Sequence, residues 1–217
     1  MSKHHTRIKF CGNTRLEDVL FAAELGVDYV GFVLVPGSPR AVSAAAAQRI
    51  ATEMTASAKA PQTVALFQNA EATVIAQQLQ HFKPALLQFH GREPVIFCTG
   101  FDLPWIKAVP MGEPQIYPEW EREYAAAMAL LADSHTSSGG GGSGHGFAWQ
   151  QLPPPVKRRL PLLLAGGLTP QSVGEAIRTV RPWGVDVSSG IESGTKGVKD
   201  HRKMRAFVEA VRAADEA

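Results

Sequence analysis

The sequence predicts an α/β fold, a single-domain (β/α)8 TIM barrel, on three observations. Short apolar runs alternate with longer Ala-rich amphipathic stretches, as repeated βαβ units require. Eight such runs fit into 217 residues, a length that closes one eight-stranded barrel. The segment after the first run is "CGNTRL", not the G-x-G-x-x-G that the competing doubly wound open sheet would place there.

The first strand is "RIKFC" from Arg7, and "RLEDVLFAAELG" from Arg15 follows as a helix, with Gly26 after Leu25 to end it. "YVGFVLV" from Tyr29 is the second strand, with Asp28 at its start on the stability face. The helix "AAAAQRIATEMTAS" comes next, then the third strand "QTVALF" from Gln62 and the helix "EATVIAQQLQHF". Strands four and five are "ALLQF" from Ala85 and "PWIKAV" from Pro104. Gly112 to Tyr124 is the weakest helical pattern, and "AMALLAD" from Ala127 is strand six. "PLLLA" from Pro161 and "GVDVSS" from Gly184 complete the strands. Between those two lies the helix "PQSVGEAIRTV", for which Thr169 offers a cap and Pro170 a first helical residue. The last helix is "KDHRKMRAFVEAVRAADE". Strands this uniformly apolar are buried on both faces, which implies a parallel sheet covered by helices.

"SSGGGGSGHG", from Ser137 to Gly146, has the composition of a linker. It falls between strand six and its helix, and cutting there would leave two open sheet edges. Residues 134–146 are therefore expected to be a mobile active-site loop, not a domain boundary. The basic cluster "VKRRL" at Val156 to Leu160 reads as the end of a solvated helix.

The chain is 45% hydrophobic and 19% charged, and its 22 basic and 20 acidic residues nearly cancel, so nucleic-acid binding has no electrostatic support. No apolar run reaches the roughly 18 residues of a membrane helix, and "MSKHHTRIKF" does not resemble a signal peptide. Cys11 and Cys98 form no CxxC motif or disulfide framework. A disulfide between them is the alternative to two free thiols in a reducing cytoplasm, and the cytoplasm is the expected location.

In such barrels the chemistry sits at the C-terminal strand ends. Strand one ends in Cys11-Gly12, strand two leads to Arg40, strand three to Gln68 and Asn69, and strand four to Gln88, His90 and Gly91. Strand six ends in Asp133. "LLLAGGLTP" puts Gly166 and Gly167 after strand seven, and "DVSSGIESG" puts Ser188, Ser189 and Gly190 after strand eight. Backbone N–H groups of these two loops are the expected phosphate site; tight turns are the alternative. In a closed barrel Cys11 and Asp133 flank that site, one to take a proton from a bound phosphosugar and one to give a proton. No cluster of histidines and carboxylates calls for a metal, and His90 alone does not make one.

"IKFCGNTR", "GFVLVPGSPRAVS", "LLQFHGRE", "LLADS" with "GGGGSGHGFAW", "LLLAGGLTPQSV" and "GVDVSSGIESGTKGVKD" together resemble the phosphoribosylanthranilate isomerase family of tryptophan biosynthesis. The resemblance runs through nearly the whole chain in order. It implies a (β/α)8 barrel that isomerises N-(5-phosphoribosyl)anthranilate to a 1-deoxyribulose phosphate by an Amadori rearrangement, with no cofactor and no metal. It implies Cys11 as general base and Asp133 as general acid. A thiol of ordinary pKa near 8.5 must then be partly ionised, and a carboxyl of ordinary pKa near 3.9 must keep a proton. Arg40 would grip the anthranilate carboxylate, with a loop salt bridge as its other reading. Asp186 is either a rival acid or an orienting group, and His90 either touches substrate or is structural. Cys98 matches no motif and is expected to be inert. The partner implied is a small phosphoribosyl substrate, not nucleic acid or membrane, bound by a monomer or homodimer. Three positions depart from the family pattern: Phe10 before the cysteine, expected to repack the barrel interior, and His145 and Ala148 in the glycine-rich loop. Two other readings use the same scaffold. A pentose-phosphate epimerase would bring metal-binding His/Asp pairs, and a phosphate-ligand sensor would not need both Cys11 and Asp133.

Overall fold

The computed structural model describes residues 5–55, 60–112, 116–134 and 149–217. Eight parallel strands close into one barrel in chain order, with β1 (Arg7–Phe10) paired to β8 (Gly184–Val187). Between them come β2 (Tyr29–Val33), β3 (Gln62–Phe67), β4 (Leu86–Phe89), β5 (Trp105–Pro110), β6 (Ala129–Asp133) and β7 (Leu162–Leu164). The helices are α1 (Leu16–Glu24), α2 (Ala44–Met54), α3 (Ala72–His81), the single turn α4 (Val95–Cys98), α5 (Tyr117–Glu123), α6 (Val173–Val180) and α7 (His201–Glu216).

Strand alternation divides the apolar residues into two cores. Tyr29, Val64, Leu86, Ile106, Leu131 and Leu163 point inward and fill the barrel. Ile8, Val30, Phe32, Phe67, Phe89 and Leu164 point outward, under the helices. Phe10 belongs to this outer layer, not to the interior expected for it, because it is out of phase with Lys9 and Cys11. Its ring meets the edge of Phe207 on α7 at 6.1 Å, so the larger side chain packs a strand on a helix.

The local chemistry explains the element ends. Gly26 closes α1 at φ 69°, and its N–H donates to the Ala23 carbonyl. The Ser43 hydroxyl accepts from Ala46 N–H at the start of α2, and the Asp200 carboxylate accepts from Arg202 and Lys203 N–H at the start of α7. At the barrel floor Asp28 accepts the Ile8 N–H at 2.8 Å, the stability role expected there. Beside it Asp215 of α7 accepts from the Thr6 N–H and hydroxyl.

Two expectations need correction. α6 begins at Val173, not near Pro170, because Thr169 and Ser172 bond each other in a preceding turn. "VKRRL" does not end a helix: Pro155–Lys157 is a single 3-10 turn. Arg158 instead donates to the carbonyls of Val180 and Arg181, satisfying the C-terminus of α6. The weak pattern from Gly112 shrinks to α5, and residues 113–115 lie outside the described residues.

Phe207 is fully buried between α7 and the strands. Phe207→Ala is expected to cost about 3–5 kcal/mol, measured as a lower midpoint in urea denaturation.

Candidate active site

The site is built from the last residues of the strands. Cys11 follows β1 directly, and its N–H donates to the Val187 carbonyl at 2.9 Å, so the barrel ladder continues one residue beyond the strand. The strand's period of two puts Lys9 and Cys11 on one face, toward the axis. Lys9 is fully buried, and its Nζ lies 2.7 Å from Asp186 Oδ1. The register Lys9↔Asp186 across the β1–β8 seam brings the two together.

The neighbouring strand makes room for these groups. A Cβ on Gly31 of β2 would stand 2.9 Å from Cys11 Sγ and 3.2 Å from Lys9 Nζ. Glycine is therefore needed there for space. Gly12 is needed for a second reason as well: its φ is 69°, and a side chain would strike the Arg40 stem, 2.5 Å from Cδ.

Burial pushes the Cys11 thiol above its ordinary pKa, while the Lys9 ammonium opposes that shift. Burial likewise raises Asp186, again against Lys9. For Lys9 itself burial acts downward, but the charges of Asp186 and Cys11 outweigh it and hold the ammonium above its usual value. The charged form of Lys9 is therefore the one its surroundings favour.

Across the mouth, Asp133 ends β6 and is partly exposed. His90 Nε2 is 3.6 Å from Asp133 Oδ2, and the Gln88 amide nitrogen lies 3.0 Å from His90 Nδ1. Gly166, at φ 86°, lets the loop after β7 lie against the backbone of Ser134; a Cβ there would be 2.7 Å from the Ser134 nitrogen.

These groups line one open cavity of about 510 Å³, within the range of small-ligand sites. Cys11, Asp133, His90, Asp186 and Arg40 all reach it, as do Gly166, Gly167, Ser188 and Ser189. Gly190 is not among the residues that line it; a Cβ there would collide with the Leu168 carbonyl, so glycine lets the loops after β7 and β8 pack together. Lys196, which sequence reasoning passed over, also lines the cavity.

Arg40 is already engaged. Its Nε and Nη2 donate to the two oxygens of Glu192 at 2.7 and 2.8 Å, the loop salt bridge that was its other reading. Glu192 also accepts the Gly197 N–H and meets Lys199 Nζ at 3.3 Å. Lys199 Nζ in turn donates to the Cys11 carbonyl at 2.6 Å and the Ser188 carbonyl at 3.2 Å. Lys9, Lys199 and Glu192 are the partners missed in the sequence. For Lys9 a signal existed, a lysine two residues before Cys11 in an otherwise apolar strand.

Both cysteines are free. Cys98 is fully buried, and burial pushes its thiol up to about 12. Among the described residues, no group of three or more His, Cys, Asp or Glu could hold a metal, and no helix is long and apolar enough to cross a membrane. Residues 135–148, with His145, Ala148 and nearly all the expected loop, lie outside the described residues.

Fold and site define a (β/α)8-barrel enzyme whose cavity opens at the C-terminal mouth, between a thiol and a carboxyl group. The family model for N-(5'-phosphoribosyl)anthranilate (PRA) isomerase matches residues 8–210. The N-(5'-phosphoribosyl)anthranilate isomerase of Xanthomonas campestris pv. campestris is 46% identical over 99% of this chain and 96% of its own length. The crystal structure of phosphoribosyl anthranilate isomerase from Thermotoga maritima superposes with a TM-score of 0.83 at 36% identity, covering 96% of this chain and all of that one. A phosphoribosyl anthranilate isomerase in complex with reduced 1-(o-carboxyphenylamino)-1-deoxyribulose 5-phosphate superposes with a TM-score of 0.76 at 32% identity, with the same coverage. This chain belongs to the N-(5'-phosphoribosyl)anthranilate isomerase family.

Gly31→Ala is expected to keep the barrel folded, because the two atoms nearest the added methyl are the side-chain ends of Cys11 and Lys9. It should lower kcat by at least about tenfold by displacing the thiol that faces the cavity, read from steady-state rates beside an unchanged circular dichroism spectrum.

Proposed function

We propose that this chain converts N-(5-phosphoribosyl)anthranilate into 1-(2-carboxyphenylamino)-1-deoxyribulose 5-phosphate, the third step of tryptophan biosynthesis from chorismate, with Cys11 as base and Asp133 as acid. The observation that carries the assignment is that both groups face one cavity, with the loops after β7 and β8 between them. Asp133 gives its proton to the furanose ring oxygen, and the ring opens to a protonated Schiff base. The Cys11 thiolate takes the C2′ proton. The electrons left on C2′ move into the C1′–C2′ bond and neutralise the iminium nitrogen, giving an enolamine. A proton added at C1′, with loss of the O2′ hydroxyl proton, yields the ketone. No electron leaves the substrate, so the reaction needs no redox partner.

The amides of Gly166, Gly167, Ser188 and Ser189 are suited to hold the phosphate, since small residues let an anion approach the main chain. Gly190 lets the loop after β8 pack against the loop after β7. His90, with Nε2 toward Asp133, orients the acid. Asp186, held by Lys9, orients Lys9 and Cys11. The substrate is a small molecule, and two free thiols fit a reducing cytoplasm.

The test is the decay of phosphoribosylanthranilate fluorescence with purified protein. Cys11→Ser and Asp133→Asn should each lower turnover by about 10²-fold or more while circular dichroism shows an intact fold. Wild-type turnover in either variant removes that residue from the mechanism.

Arg40 spends two of its five donors on Glu192, and the remaining Nη1 corner can meet a carboxylate. Arg40→Ala is therefore expected to raise KM about tenfold or more, with a smaller fall in kcat. An unchanged KM would leave Arg40 as a purely structural partner of Glu192.

A further inference from the structure

Lys9 is an ammonium buried in a barrel that is otherwise filled mainly by aliphatic and aromatic side chains. A buried charge is tolerated only with a partner, and Asp186 at 2.7 Å is one. If neutralising Asp186 were its whole task, the ammonium could face away from the thiol. It does not: Lys9 Nζ and Cys11 Sγ converge on the space left by Gly31, 3.2 and 2.9 Å from one point.

We propose that Lys9 is a positioning residue for Cys11: its ammonium is the fixed counter-charge of the thiolate, and Asp186 sets how much of that charge the sulfur receives. The proposal rests on the reading of Cys11 as the base. The other charged groups near the thiol are committed elsewhere. Lys199, after β8, holds the Cys11 and Ser188 carbonyls and Glu192. Arg40, after β2, holds Glu192. β2 and β3 face the thiol with Gly31, Val33 and Leu66, which carry no charge. Asp133 bears on Asp186 from across the cavity.

One cation between two acids gives variants of opposite sign. Removing Lys9 leaves the thiol buried beside a carboxyl group, which disfavours the thiolate. Neutralising Asp186 leaves the ammonium to the sulfur alone, which favours it. A lysine that only balanced Asp186 would produce neither shift.

The experiment follows alkylation of Cys11 by iodoacetamide against pH, read at the Cys11 peptide by mass spectrometry. Cys98 is buried and serves as a silent internal control. The midpoint should rise by about one pH unit or more in Lys9→Met and fall by about one unit or more in Asp186→Asn. The double variant, which buries no lone charge, should also sit above wild type. The rising limb of kcat/KM against pH should move in the same directions, because a base works only when deprotonated. An unmoved midpoint in Lys9→Met, or an upward one in Asp186→Asn, overturns the proposal. If Lys9→Met does not fold, Asp186→Asn and the double variant decide it, since either midpoint left at the wild-type value overturns it. Alkylation reports the thiol whatever its catalytic part. Shifted midpoints with an unshifted kcat/KM profile would keep the counter-charge and remove Cys11 as the base.

Discussion

The seam where β8 meets β1 is the constraint on which the rest of the structure depends. A parallel sheet of eight strands becomes a barrel only if its two edge strands pair. Here they pair over four successive residues, from Arg7↔Gly184 to Phe10↔Val187. The Lys9–Asp186 ion pair lies inside that seam, and Cys11 extends the ladder beyond it. Barrel closure and placement of the thiol are thus one event. A slip of one residue would turn Lys9 and Cys11 toward the helices, leaving a charge in the outer apolar layer.

Two other buried lysines organise the mouth of the barrel in a similar way. Lys107 of β5 donates to the Phe89, Gly91 and Ala108 carbonyls and meets Glu93 at 3.3 Å. Glu93 in turn accepts from the Asn69 and Gly91 N–H groups. That cluster fixes the loops after β3 and β4, which carry His90. Lys199 does the same for the ends of β1 and β8 and, through Glu192, for Arg40. An ammonium suits this task because it gathers several carbonyls at once and needs no fixed donor direction. Burial lowers both of these lysines, whereas Lys9 is held upward by two acids.

The barrel was legible in the sequence because each strand is a short apolar run bounded by turn residues, and "QTVALF" matches β3 residue for residue. Cys11, Asp133 and the AGG and SSG loops were legible because strand ends in a barrel are functional positions. Helix starts were less so. Thr169-Pro170 carries good capping chemistry, yet its hydroxyl bonds Ser172 and holds a turn instead. "VKRRL" was misread because a basic cluster says nothing about whether its guanidinium groups will find a neighbouring helix terminus. Phe10 was misplaced because an all-apolar strand conceals which face is which. Its phase became readable only from Lys9, whose charge marks the inner face. Gly190 and Arg40 needed coordinates, since a loop's composition does not say which residues turn inward.

The burial of Cys11 works in two directions at once. Sheltering a thiol from water raises its pKa, so that less of it is ionised near neutrality, while the thiolate that does form is a stronger base. A site that only buried the sulfur would gain basicity and lose population. A site that only added positive charge would gain population and lose basicity. The observed arrangement combines burial with an ammonium already shared with a carboxyl group. The sulfur therefore feels part of a positive charge, held in place before substrate arrives. With Cys11 as the base proposed above, the charge that answers the thiolate is already in place when the proton moves, which is the condition under which fixed charges lower a barrier most effectively.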